Sequence, residues 1–444
     1  MHKNFMLINK KNTFEQHDNE NISFYKSSIK QYSDFSNQWE DNLSTDICVI
    51  GGGLTGVSSA LNLSKKGFKV ILVEARKIGW GASGRNGGQL GIGMRKDQPE
   101  LEKKLGNIHA NQLWKLGLEA VDEVKDYIRK YKIECNIVKG VISAGCFKKD
   151  EKDFLTLIDH MQKKYDFNDF EFLNNKEIKQ EINSHKYYSG ILNNRSYHIN
   201  PLKLLLGLAS ELIKNKVKII ENTPVKKIDK KNNDLQIITN KGTIKAKKIV
   251  VACNGYLDNL LGNIRNNFMP INNYVIATEP LGEDRARSII KNNYAVSDTR
   301  FIINYYRFSE DHRLIFGGGE TFTSHFVKKS KEFVRKEMIQ VFPSLADCKI
   351  DYSWGGTLAI TVNRLPDFGS IHDDRVIYAH GFSGHGLALS VLAGKIISEK
   401  IAGNNERFNF FEKIKHFSIP FGDLLRRPIY SSAIFYYKLR DSLS

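Results

Sequence analysis

With 444 residues, 41% of them hydrophobic, the chain has room for two or three domain-sized units with substantial cores, which excludes an intrinsically disordered protein. Its formal charge of +17 raises the question of nucleic acid, but the lysines lie in small groups at 226–227, 230–231, 245–248 and 328–331 rather than in one stripe, so no nucleic-acid partner is expected. The five cysteines, Cys48, Cys135, Cys146, Cys253 and Cys348, contain no CxxC pair, and neither a signal-like apolar core nor a membrane-length apolar run is present; no disulfide framework, metal site or transmembrane segment is expected, and the location is expected to be cytoplasmic.

In chain order, the polar residues before Tyr32 are expected to add little ordered structure. An apolar strand at 46–50 then runs into Gly51, Gly53 and Gly56, the GxGxxG spacing that opens a helix. Gly51 permits the tight turn, Gly53 lets backbone approach a pyrophosphate, and Gly56 lets helix and strand pack closely. The helix N-terminus offers free N–H groups and the positive end of its dipole to that pyrophosphate. A second strand at 70–73 ends at Glu74, about 20 residues past the turn, where a carboxylate accepts bonds from ribose hydroxyls and repels a 2′-phosphate. NADP is therefore disfavoured, and the lack of a GK[ST] ending excludes a phosphate loop for ATP.

The loop 79–93 carries seven glycines among Trp80, Arg85, Asn86 and Gln89, too varied for a linker and suited to bringing backbone N–H groups against a planar polar ring. A helix at 202–214 behind Pro201, a strand at 217–220 and a buried strand at 249–252 continue the same open sheet. Strand character returns at 273–278, 300–307 and 314–317. Near the C-terminus, Gly381, Gly384 and Gly386 form a second glycine turn into a helix, a further place for an electronegative group. Two such turns far apart in sequence suit a long ligand, FAD rather than a bare nicotinamide cofactor. In the tail, Ile429, Ala433, Tyr436 and Leu439 recur at helical spacing.

The segments DICVIGGGLTGVSSALNLSKKGFKVILVEA, GWGASGRNGGQ, IVVACNGY and GFSGHGLALSVLAGKIISEKIAG together resemble the FAD-dependent amine and amino-acid oxidases, the group of D-amino-acid, glycine and sarcosine oxidases. RKIGWGASGRNGGQ is most similar to the gamma-glutamylputrescine oxidoreductase subgroup. The resemblance implies an α/β fold of D-amino-acid oxidase type: a Rossmann-like FAD-binding domain with an antiparallel-sheet (α+β) substrate domain. On that basis 1–44 is an N-terminal extension; 45–100, 196–270 and 353–404 form the discontinuous FAD-binding domain; 101–195 and 271–352 form the substrate domain; and 405–444 is a tail with a helix.

Carried over by position, Gly51, Gly53, Gly56, Glu74, Arg76, Ser83, Arg85, Asn86, Gly87, Gly88, Gln89, Val225 and Gly384 would contact FAD. His385 and Arg364 are candidates for a positive charge beside the flavin, and Tyr305, Arg307 and Trp354 for substrate contacts; alternation sends Tyr305 and Arg307 to one face of their strand. With no cysteine after Cys348 and no histidine in the 79–93 loop, the FAD is expected to be non-covalent. The implied reaction is hydride transfer from the α-carbon of an amine, gamma-glutamylputrescine or a related amine or amino acid, to flavin N5, with O2 as acceptor giving H2O2. Two alternatives stay open: a dehydrogenase of the same fold handing electrons to a quinone or carrier, and an RNA-modifying flavoprotein. Oligomeric state is not legible in the sequence.

Overall fold

The computed structural model describes residues 22–29, 34–231, 234–321 and 326–419, with the isolated positions 428 and 432. The tail positions Ile429, Ala433, Tyr436 and Leu439 lie outside the described residues.

Two sheets organise the chain. The first has eight strands, with Asp367–Ile371, Val376–His380, Thr243–Val251, Ser44–Ile50, Val70–Val73 and Lys218–Ile220 side by side and the hairpin Val225–Lys231 and Asp234–Thr239 attached to Thr243–Val251. Its central strands are parallel: Ile47 pairs with Val70 on one side and Lys248 on the other, and Val251 pairs with Tyr378. Val70–Val73 is buried throughout, as a strand covered on both faces must be. The helices Leu54–Lys65, Asn107–Tyr131, Pro201–Lys214 and Gly386–Ile401 cover this sheet and pack on one another. Ser58 Oγ donates to the Val391 carbonyl at 2.7 Å, tying the first glycine-turn helix to the last. Pro201 occupies the first turn of its helix, and the Asn200 side chain caps it by accepting the Lys203 N–H.

The second sheet has nine strands, in the order Ile350–Thr361, Phe268–Thr278, Leu314–Thr321, Tyr305–Phe308, Ala295–Asp298, Val138–Gly145, Ser189–His198 and Gln89–Leu90, with Phe170–Leu173 joined to Ser189–His198. It is antiparallel except where Ala295–Asp298 meets Val138–Gly145. The fold is thus of D-amino-acid oxidase type, a parallel-centred α/β unit joined to a mainly antiparallel sheet. Ile350–Thr361 runs entirely in the second sheet, although the sequence assigns 353–404 to the FAD-binding unit; its long pairing with Phe268–Thr278, from Phe268 opposite Thr361 to Thr278 opposite Ile350, holds it there. Strand 300–307 is shorter than expected, beginning at Tyr305, because Asn304 N–H closes a turn onto Asp298 Oδ1 at 2.9 Å.

The N-terminal extension is more than an unstructured lead. Phe24–Ser27 forms one helical turn, capped by Ser23, and its Phe24 and Tyr25 are buried against Ala277, Ile315 and Trp354 of the second sheet.

Candidate active site

The first glycine turn has the geometry its spacing predicts. Gly51 has φ +111°, a left-handed conformation that disfavours any side chain, and a Cβ at Gly56 would stand 1.9 Å from the Gly51 carbonyl oxygen. The helix Leu54–Lys65 starts on Gly53, which supplies no capping side chain; Ser83 Oγ accepts the Leu54 N–H at 3.0 Å. The helix Gly386–Ile401 likewise starts without a side-chain cap. Gly53, Leu54 and Thr55 at the first N-terminus and Gly384, Gly386 and Leu387 at the second line the same cavity. A second cavity, lined by Gly51, Glu74 and Val225, adjoins it and shares Gly53, Ala82, Ser83, Ala252 and Asn254 with it. The result is one trough leading from Glu74 past two helix N-termini, neither capped by its own N-cap side chain.

Glu74 ends its strand facing back toward the turn. Its carboxylate accepts the Gly52 N–H at 2.6 Å and the Arg76 N–H at 2.8 Å; burial pushes its pKa up while these two bonds oppose the rise. The 79–93 loop is held from several sides. Arg85 donates to the carbonyls of Trp80 at 2.7 Å and Gly355 at 3.3 Å. Asn86 donates to Ala82 and Ser83 carbonyls while its own oxygen accepts the Gly88 N–H at 2.9 Å. Gln89 Nε2 donates to the Val296 carbonyl at 2.8 Å, linking the loop to the second sheet. Ser83, Arg85, Asn86, Gly87, Gly88 and Gln89 all line the cavity that receives the two helix N-termini. Arg76 does not line either cavity; its guanidinium stands 5.8 Å from the Trp80 ring centroid.

Beyond the helix N-termini the cavity continues under the second sheet. Tyr305 lines it, its ring crossing the empty positions of Gly87 and Gly317, where a Cβ would come within 2.5 Å and 2.0 Å of ring carbons. The phenol donates to Asn273 Oδ1, and Asn273 Nδ2 in turn donates to the Gly319 carbonyl at 3.2 Å. Arg364 lines the cavity as well, from a turn where its φ is +65°, with its guanidinium 5.9 Å from the Phe301 ring centroid.

Three expected roles change. Arg307 shares the Tyr305 face, as alternation requires, but it is only 2% exposed and donates to the carbonyls of Gly87 at 2.8 Å and Phe308 at 3.1 Å and to the Tyr25 hydroxyl at 3.1 Å. It braces the loop instead of presenting its charge to the cavity. Trp354 is fully buried away from the cavity, with Nε1 donating to the Arg85 carbonyl at 2.8 Å and its ring against Tyr25. His385 cannot supply a cation at neutral pH: burial and the nearby Arg95 lower its pKa to about 4, and its Nε2 lies 2.9 Å from the Ile92 carbonyl.

Glu320, Asn273, Arg95 and Phe301 line the same cavity and were not singled out by sequence. Glu320 does carry a signal, a lone acid closing the apolar, glycine-rich strand LIFGGGET, where a charge is otherwise out of place.

The trough fits FAD on structural grounds. Two helix starts facing one trough, neither capped by its own N-cap side chain, a carboxylate at the far end and a braced glycine loop are the donors and the close approaches that a dinucleotide with a fused ring needs. A protein so built is a dinucleotide-binding flavoprotein. The chain belongs to the family described as FAD dependent oxidoreductase, which matches residues 46–400. It is 36% identical over 400 residues to "Probable oxidoreductase OrdL" of Haemophilus influenzae, covering 89% of this chain and 92% of that one. It is 35% identical over 424 residues to "Gamma-glutamylputrescine oxidoreductase" of Escherichia coli, covering 95% and 98%. Among solved structures, glycine oxidase from Geobacillus kaustophilus superposes with TM-score 0.69 over 81% of this chain and 95% of that one at 17% identity, a likeness of fold.

Proposed function

We propose that the protein oxidises an aliphatic amine that also bears a carboxylate, gamma-glutamylputrescine or a related compound, with FAD as the group that accepts the hydride and O2 as the terminal acceptor reduced to H2O2, and that water hydrolyses the imine so formed to an aldehyde and ammonia. The observation that carries this is the composition of the chamber beyond the helix N-termini. Arg95, Arg364 and Glu320 bring both signs of charge into one cavity whose remaining walls include Phe301, Ile303 and Ile360. Such a lining suits a flexible aliphatic chain with an amine toward one end and a carboxylate at the other. The similarity to an enzyme named for gamma-glutamylputrescine supports the substrate class.

Bound FAD supplies the hydride acceptor. The chain's own contribution is to hold the substrate's C–H bond in place and to exclude water. Tyr305, fixed on Asn273, closes one side of the chamber, and Phe301 and Ile303 line it with apolar surface. Arg364 and Arg95 hold positive charge there, which favours a substrate carboxylate and negative charge developing nearby. The FAD is expected to be held without a covalent bond, since no cysteine follows Cys348 and no histidine lies in the 79–93 loop. Acid precipitation should leave the yellow colour in the supernatant. The five free cysteines suit a reducing, cytoplasmic location, and among the described residues no helix is long and apolar enough to cross a membrane.

Anaerobic titration of the flavin absorbance tests the assignment. Bleaching by gamma-glutamylputrescine but not by glycine or D-amino acids is the expected result, with peroxide formed on admitting air. Bleaching without peroxide would move the terminal acceptor to a carrier, and no bleaching by any amine would remove the assignment.

A further inference from the structure

Glu320 lies on Leu314–Thr321, directly across the strand pair from Asn273. It is the one carboxylate among the described residues lining the cavity, and it has no hydrogen-bond or ion-pair partner among the described residues. A carboxylate left largely desolvated and unpartnered is costly, and it gains most from a cation arriving with a ligand. The charged and titratable groups facing it are Arg364, from the turn after Ile350–Thr361, Arg95, from the loop after Gln89–Leu90, and Tyr305.

We propose that Glu320 receives the substrate's ammonium group and takes one of its protons. This rests on amine oxidation being the reaction. An ammonium nitrogen has no lone pair, so it cannot form the C=N bond that must appear as the α-carbon gives up its hydride; the amine has to be neutral first. In the step, one N–H bond of the ammonium breaks and leaves its electron pair on nitrogen, and an O–H bond forms on the Glu320 carboxylate. A positive and a negative group become two neutral ones, with no oxidant or reductant involved.

The other groups in reach do not serve. Arg95 and Arg364 carry only N–H donors and offer no acceptor for the proton. Tyr305 gives its hydroxyl proton to Asn273, and His385 does not line the cavity. Burial pushes the Glu320 carboxyl up, against the pull of Arg364 and then Arg95, which brings its proton affinity closer to that of an amine and so suits it to the transfer.

The test uses the FAD-loaded wild type, Glu320→Gln and Glu320→Asp. Calorimetry in buffers of different ionisation heat counts protons released when each binds an aliphatic amino acid whose amine-bearing carbon carries two methyl groups and no hydrogen. Above the acid limb of activity, the wild type should release none, because the proton passes from ammonium to Glu320. Glu320→Gln should release about one, because its cavity, left with two arginines, takes the neutral amine. In parallel, kcat/KM of Glu320→Gln should fall about 100-fold at pH 7 and recover about tenfold per pH unit toward the substrate's own pKa, while Glu320→Asp keeps the acid limb. A wild type that releases a full proton on binding, or a Gln variant with the wild-type pH profile, overturns the proposal. If Glu320→Gln does not load FAD, the wild-type proton count and the Asp variant decide. Failure of the underlying reaction is separately visible, since no amine would then bleach the wild-type flavin.

Discussion

The guanidinium of Arg307 lies 5.7 Å from the centroid of the Tyr25 ring and donates to its hydroxyl at 3.1 Å, so a residue of the N-terminal extension completes the support of the glycine loop. Through Arg307 Nε, the same guanidinium holds the Gly87 carbonyl. Tyr25→Phe leaves a buried charged donor one partner short and should lower stability by about 1–3 kcal/mol, read by chemical denaturation. Arg307→Lys cannot reproduce the fork of bonds, so FAD affinity should fall about tenfold or more with it, measured by titrating apoprotein with FAD. An unchanged affinity would mean the Gly87–Gly88 turn keeps its shape without this brace.

At Gly56 the helix and the turn are already in contact. An alanine there would place its Cβ 1.9 Å from the Gly51 carbonyl oxygen, closer than any backbone shift of a few tenths of an ångström can relieve. Gly56→Ala should therefore give a protein that purifies colourless or far below one FAD per chain, with the absorbance ratio of flavin to protein as the measurement. Full flavin loading would show that the turn can move apart from the first strand.

What was legible from the sequence is what depends on local spacing. The first strand, the Gly51 to Gly56 turn, the helix start and the second strand that ends before Glu74 stand where the spacing puts them, because they follow one another within thirty residues. Strand alternation likewise put Tyr305 and Arg307 on one face, but it could not say which side chain would reach the cavity and which would be consumed by the loop beneath it. Asn273 and Glu320 meet through antiparallel register between strands far apart in the chain, and that register has no trace in either segment alone. Tyr25 was missed for the same reason, since nothing near it in sequence reveals its contact with Arg307. His385 was placed correctly at a helix start but given a charge that burial removes.

Glu74 spends two lone pairs on the Gly52 and Arg76 N–H groups, so it shapes the turn, whatever bond the proposed ribose contact adds. Glu74→Ala should weaken FAD binding by about 10- to 100-fold, the equivalent of one or two charge-assisted hydrogen bonds, and Glu74→Gln by less because its amide oxygen can still accept one N–H. Equilibrium dialysis against FAD separates the two. Equal losses in both variants would assign the whole effect to the negative charge.

On the proposed reading, Arg364, which lines the cavity, discriminates substrates by their carboxylate. Replacing it by glutamine should raise KM for a carboxylate-bearing amine by about 10- to 100-fold, the worth of a charge-assisted bond lost from a sheltered site. KM for putrescine, which has no carboxylate, should change little or fall. Steady-state kinetics with the pair of substrates measures the ratio, and a parallel rise for both would place the arginine's role in holding the flavin or the chamber wall.

Acid stability follows from two buried imidazoles. Burial lowers His198 to about 3, with Arg307 adding to the shift, and lowers His385 to about 4. Each is neutral in the folded protein at pH values where an exposed histidine, with a pKa of about 6.5, already binds a proton. Between about pH 6.5 and 4 each of these two histidines therefore binds more protons in the unfolded chain than in the native one, and its contribution to stability falls as pH is lowered, by up to about 1.4 kcal/mol per pH unit. Asp367 acts in a lower window: burial pushes its carboxyl up, but the His380 bond at 3.0 Å and the neighbouring His416 together outweigh that and hold it below the usual range, so its contribution is intact above about pH 4 and is lost as the pH falls through its folded value. The wild-type denaturant midpoint minus that of His198→Gln should decline from pH 7 to 4, while the raised carboxyls of Asp298, Glu74 and Glu320 act in the opposite sense on the wild type as a whole, and Asp367→Asn leaves the histidine difference in place. A difference between wild type and His198→Gln that is independent of pH over this range would mean that His198 gains its proton in the native state.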